Sequence, residues 1–153
     1  MDELFMLEAL EEAKKAFAQG EVPVGAVAVY EGQIIARAFN QVESLKDASA
    51  HAELLCLKKA ASVLDRWRLL GVTLYTTLEP CSMCAGALFS FRIDRLVWGA
   101  PDIRQGADGS LVSLLTVKHP IHEIEISRNV LSEQSSVLMK TFFEQRRKRV
   151  CLK

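Results

Sequence analysis

Val72-Thr73-Leu74-Tyr75-Thr76-Thr77-Leu78-Glu79-Pro80-Cys81-Ser82-Met83-Cys84 is the stretch on which the fold turns. Its first part, Val72 to Thr77, is rich in β-branched side chains and reads as a strand. Glu79-Pro80 ends it, because proline has no N–H to continue a ladder. The apolar run from Ser82 to about Phe91 then predicts a helix. Two thiols three residues apart therefore stand where a strand hands over to a helix, as neighbours on one helical face. Unpaired N–H groups and the positive end of the dipole gather at such a helix start. That environment is expected to lower the pKa of both Cys81 and Cys84.

Working outward, the flanking segments repeat this alternation. Leu7, Leu10, Lys14 and Phe17 mark one side of a helix over residues 2 to 19, stopped by Gly20. Val24 to Tyr30 is a continuous apolar run expected to be a buried strand. Glu31-Gly32 turns the chain into a second strand, Gln33 to Phe39, to make a hairpin. Residues 40 to 50 are polar and read as loop. A helix carrying Leu54, Leu55, Leu57 and Leu64 follows, reaching about Val63. Beyond the central stretch come a fourth strand at Arg95 to Trp98 and a Gly-rich loop from Gly99 to Gly109. A short helix at 110 to 115, a weak strand at Glu123 to Ile126 and a helix from Leu131 to Lys148 complete the set. The order favours a largely parallel sheet covered on both faces and started by an antiparallel hairpin. No repeat, low-complexity segment or linker interrupts residues 1–153, which read as a single domain.

Composition narrows the function classes. Half the residues are hydrophobic and 25% charged, as in ordinary globular proteins. Lys plus Arg equals Asp plus Glu at 19 each, so a nucleic-acid partner would have to be met by a local basic patch. Met1-Asp2-Glu3 is acidic and unlike a signal peptide, and no run approaches the ~18 apolar residues of a membrane span. The chain reads as cytoplasmic, where four cysteines argue for metal or free thiols over disulfides.

His51-Ala52-Glu53 supplies the complement to the two thiols. One imidazole and two thiolates suit zinc with its fourth position open to water. In a regular helix His51 and Glu53, two apart, would diverge by about 200°. They converge only if the helix is just beginning, with His51 still outside it. Zinc held this way, one per chain, would lower the pKa of a water and give hydroxide near neutral pH. Glu53, beside the metal but not bound to it, would shuttle the proton from that water to the substrate.

His51-x-Glu53 followed by Pro80-Cys81-x-x-Cys84 is the known signature of zinc deaminases. The chain resembles the cytidine/deoxycytidylate deaminase superfamily, and within it the bacterial tRNA adenosine deaminases. That closer resemblance is carried by Glu21-Val22-Pro23-Val24-Gly25-Ala26-Val27, Ala50-His51-Ala52-Glu53, Thr77 to Ala87 and Gly106-Ala107-Asp108-Gly109-Ser110-Leu111. It implies a three-layer α/β/α cytidine-deaminase-like fold with a five-stranded mixed sheet. It also implies a zinc-dependent homodimer that converts adenosine to inosine at the wobble position of a tRNA anticodon loop. His51, Cys81 and Cys84 match the family's zinc ligands, and Glu53 its catalytic acid/base. Asn40 matches an asparagine that contacts the flipped-out base. Asp102 matches a position lining the nucleotide pocket, and Phe142, Phe143 and Arg146 match residues near bound RNA. Departures fall at Gln41-Val42, where Arg-Pro often follows the asparagine, and at Ala48-Ser49, where Pro often precedes the histidine motif.

Plainer readings compete at each position. A structural zinc site would need a fourth ligand, with Cys56, His119, His122 and Cys151 as candidates. Cys56, on a leucine-rich helix, reads instead as a small hydrophobe, and Cys151 as an exposed tail thiol. His119 and His122 read as polar surface beside Pro120. Asn40 could be a turn residue, Asp102 a cap, and Arg146 to Arg149 a solvated helix end complementing its own dipole. Trp67, Trp98, Met6 and Met139 read as core or interface. A deaminase of a free base or nucleotide, such as guanine, cytosine or deoxycytidylate, would share the zinc motif.

Overall fold

A computed structural model describes residues 1–151 of the chain. Gly25–Tyr30 (β1) and Gln33–Phe39 (β2) form the expected antiparallel hairpin. Both turn residues between them, Glu31 and Gly32, have positive φ, at 50° and 75°. That is the conformation whose twist matches paired strands in a tight hairpin. The other edge of β1 pairs antiparallel with Val72–Leu78 (β3). Parallel pairings then add Arg95–Ala100 (β4) and Glu125–Ser127 (β5), giving the order β2-β1-β3-β4-β5. Only β1 runs against the rest.

Alternation along β1 splits the core into two layers. Val27 and Val29 face the helix Asp2–Ala18 (α1) and join Met6, Ala9, Tyr75 and Val97. Ala26 and Ala28 face the other way, toward Leu57 of Ala52–Leu64 (α3) and Leu88 of Ser82–Ser90 (α4). Period-two alternation over a sheet buried on both faces gives this partition. The helix Ser132–Cys151 (α5) packs beside α1, so the architecture is three-layer α/β/α. The sheet and α1 approach closely at Gly25, where a Cβ would stand 2.1 Å from the Ala9 carbonyl oxygen.

Because β2 and β3 point the same way, the helices that follow them, α3 and α4, start at the same edge of the sheet. That convergence is what builds the site.

The structure departs from expectation in three places. A short helix, Val42–Leu45 (α2), stands where loop is expected. Its N-terminal amides are capped from 22 residues upstream: the Glu21 carboxylate accepts from Glu43 N at 2.9 Å and Ser44 N at 3.0 Å. Conversely, residues 110 to 115 form turns and not a helix. Their amides bond elsewhere, Leu111 N to the Gly106 carbonyl and Leu115 N to the Ala107 carbonyl. Finally, α5 runs on to Cys151, which is an exposed helix residue and not a tail thiol. Trp98 and Met6 are buried, whereas Trp67 is 51% exposed under the Arg68 guanidinium, 4.3 Å from its ring.

Candidate active site

His51 and Cys81 are the N-cap residues of α3 and α4, both with extended backbone (ψ 148° and 175°). Neither is yet helical, so each side chain can turn toward the shared edge. Cys84 lies one turn into α4. The Sγ atoms of Cys81 and Cys84 lie 3.5 Å and 3.7 Å from His51 Nδ1. All three ligand atoms fall within 4.8 Å of one another. Tetrahedral zinc with ordinary bond lengths would place nitrogen and sulfur ligands about 3.6 Å apart. The donor set therefore fits zinc in chemistry and in spacing. Among the described residues no fourth protein ligand joins it. Cys56 is buried with its thiol donating to the Ala36 carbonyl at 3.6 Å. His119 stacks on Phe89 at 4.2 Å, and His122 bonds the Ile93 carbonyl at 2.6 Å. Both histidines are structural ties, not the free polar surface expected of them.

Glu53 sits in the first turn of α3, 4% exposed. One carboxylate oxygen accepts from Thr76 Oγ1 at 3.2 Å, and the other faces the Cys84 thiol at 3.6 Å. Burial raises its pKa above the ordinary carboxylate value. The two cysteines diverge, contrary to the expectation that both are lowered. A hydrogen bond from Cys84, with a further one to His51, brings Cys81 down to about 4. The same bond and burial push Cys84 up. The bond to Cys81 also raises His51.

These groups open into a cleft of about 690 Å³. Asn40, at the end of β2, lines it with His51, Glu53 and Cys81, and so do Asp102, Phe143 and Arg146. Phe142 does not: it is 7% exposed and packs edge-on against Phe17 of α1 at 5.8 Å. Successive helical residues point about 100° apart, so Phe142 and Phe143 cannot face the same way. Asp102 Oδ1 accepts from Arg104 N at 3.1 Å and Gln105 N at 3.3 Å, which folds its own loop as well as lining the cleft.

Two residues were not singled out by sequence reasoning. Glu21 and Glu79 are 1% and 2% exposed, and both line the cleft. Glu21 caps α2 on one side. Glu79 gathers the amides of the 102–110 loop on the other. A fully buried acid with long-range backbone partners has no sequence pattern. The adjacency of Glu79 to Pro80-Cys81 was the available signal.

The site so built, two helix N-termini holding one imidazole and two thiols beside a buried carboxylate, defines a class. The chain belongs to the cytidine and deoxycytidylate deaminases, whose zinc-binding region matches residues 1–100. Within that class it is similar to the tRNA-specific adenosine deaminase of Bacillus subtilis, 47% identical across 97% of this chain and 92% of that protein. It is equally similar, at 47%, to the chloroplastic tRNA(adenine(34)) deaminase of Arabidopsis thaliana. There 95% of this chain is matched, but it spans only 12% of the plant protein's length. A structure from work on A-to-I editing by tRNA:A34 deaminases at the wobble position superposes with TM-score 0.84. It is 40% identical over 88% of this chain and 97% of that one. A guanine deaminase from Nitrosomonas europaea shares the fold at TM-score 0.80 and 25% identity, over 92% of this chain and 83% of that one.

Proposed function

We propose that the chain is a single-domain hydrolytic tRNA adenosine deaminase. It converts adenosine to inosine at the wobble position of an anticodon loop. The observation that carries this reading is the buried, raised-pKa Glu53 facing the His51–Cys81–Cys84 cluster at the floor of an open cleft. The similarity to tRNA-specific adenosine deaminases over nearly the full length supports the substrate.

His51, Cys81 and Cys84 would hold the metal, one per chain. When bound, zinc supplies the Lewis acid that lowers the pKa of a water. Glu53 takes a proton from the attacking water and delivers it to the purine ring. A new C–O bond forms at C6, the C–N bond breaks, and ammonia leaves with the remaining proton. A raised pKa suits a group that must both accept and donate, since it moves the carboxyl toward the operating pH. Asn40, 7% exposed at the cleft wall, holds the flipped base by its amide. An anticodon loop makes that flip cheaper than a duplex would. Phe143 and Arg146 lie at the rim, where a ring can stack on a neighbouring base and a guanidinium can meet phosphate.

The working form is a homodimer. Leu111, Val117 and Ile121 are 60%, 64% and 69% exposed, apolar side chains outside the cleft that a second copy would cover. Among the described residues no helix is long and apolar enough to cross a membrane. The compartment that holds its substrate is the cytoplasm.

The test is incubation of zinc-loaded protein with an anticodon stem-loop carrying a wobble adenosine, and separately with cytidine, deoxycytidylate, cytosine and guanine. Inosine in the stem-loop supports the reading. Ammonia from a free base or nucleotide with none from RNA would replace it by a small-molecule deaminase on the same fold.

A further inference from the structure

We propose that Glu79 is a positioning residue for substrate affinity. It fastens the cleft wall that carries Asp102 to the segment that joins β3 to Cys81. The inference rests on the deaminase reading above and adds a determinant of how tightly RNA is held.

The Glu79 carboxylate is buried, yet its partners are neutral donors from a single loop. Oε1 accepts from Asp102 N at 3.2 Å and from Ser110 Oγ. Oε2 accepts from Asp108 N at 2.9 Å and Ser110 N at 3.4 Å. Among the described residues no side-chain cation bonds it. The neighbouring Arg128 guanidinium is spent on Asp108, at 2.6 Å and 2.9 Å. A buried charge compensated only by hydrogen bonds is costly unless every donor is held in place, so loop and carboxylate define one another.

Gly106 shows how closely the two fit. A Cβ there would stand 2.2 Å from Glu79 Oε2 and 2.6 Å from the Asp102 carbonyl oxygen. No positive φ is involved, so glycine is needed for space and not for backbone freedom. The same residue bridges to Cys81, and Ala107 N donates to the Pro80 carbonyl at 2.8 Å. The loop is thus stitched to the turn between β3 and α4 through Glu79 and through the backbone beside Cys81.

The two consequences of loosening Glu79 are separable. Cys81 keeps its position from α4 and its neighbours Cys84 and His51. Asp102, Ile103 and Arg104 line the cleft from the loop alone and would lose their anchor. We take these loop contacts to bind ground state and transition state alike, and loss of such uniform binding raises KM and leaves kcat.

The test uses the zinc-loaded full chain with the wobble-adenosine stem-loop. Glu79→Gln turns an amide N–H₂ toward amide donors, and Gly106→Ala pushes the carboxylate from the other side. For both, KM is expected to rise about tenfold or more with kcat within about threefold, at unchanged zinc content. Combined, they should cost less than the sum of the two, as changes to one shared contact do. Ser110→Ala, which removes a single hydroxyl donor, should raise KM about two- to threefold and serves if the stronger variants do not fold. A lowered melting temperature with KM unchanged in all folded variants would show a merely structural acid and overturn the proposal. So would a fall in kcat at constant KM. Wild-type protein inert toward the stem-loop would instead refute the substrate reading itself.

Discussion

His51 and Cys81, thirty positions apart, occupy the same place in two different helices, and their Nδ1 and Sγ atoms meet at 3.5 Å. The site is therefore made by two N-caps and depends on both helices starting at one edge of the sheet.

Metal and structure are coupled by that arrangement. Cys84→Ser replaces a thiol by a hydroxyl at a fully buried position. Zinc content is expected to fall from about one per chain to near zero, with a lower melting temperature, because binding free energy is folding free energy in such sites. Elemental analysis beside a thermal scan checks this; unchanged metal content would remove Cys84 from the ligand set.

A second tie lies far from the cleft. Arg95 donates to both oxygens of Asp2 at 2.7 Å, fastening the start of α1 to β4. That guanidinium, with help from Tyr75, holds the Asp2 carboxyl below its ordinary value against the opposing effect of burial. A depressed folded pKa stabilises above the unfolded value and is lost as pH falls through the folded one. Asp2→Asn should cost about 1 kcal/mol at neutral pH, a modest figure for a partly exposed pair. The gap to wild type should close below about pH 4. Urea titrations at several pH values measure it; a gap independent of pH would contradict the assignment.

Much of this molecule was legible in its residues. The hairpin, the strand before Pro80 and the helix begun at Ala52 follow from local pattern, and so does the need for His51 to lie outside that helix. What was missed depends on long-range partners. The helix α2 exists because Glu21 reaches its amides, and the helix expected at 110 to 115 is absent because Gly106 and Ala107 take its donors. Phe142 and Phe143 look alike in sequence, and only the direction of α5 decides that one packs on Phe17 and the other lines the cleft.

The close approach at Gly25 gives a packing prediction. In Gly25→Ala the new methyl would meet Ala9 O at 2.1 Å and Ala13 N at 2.3 Å, both backbone atoms. Helix α1 must then lift, at a cost of about 1–3 kcal/mol or more. A melting temperature equal to wild type would show that α1 sits less tightly on the sheet.

Arg146 tests the RNA surface. It lines the cleft and stands 5.5 Å from the Phe142 ring centroid, which holds its guanidinium at the rim. Arg146→Ala should weaken stem-loop binding and reduce the slope of log K against log salt by about one. Binding measured over a salt series reads this directly, and an unchanged slope would place the phosphate contacts elsewhere.

We propose that Glu53 drives hydrolytic attack by water on a wobble adenosine. The most direct measurement is mass analysis of a stem-loop incubated with zinc-loaded protein in heavy-oxygen water, wild type beside Glu53→Ala. Wild type should incorporate one heavy oxygen per inosine and release one ammonia. The variant should keep its zinc and lose about 10²-fold or more in rate. Unlabelled inosine, or full activity in the zinc-loaded variant, would contradict it.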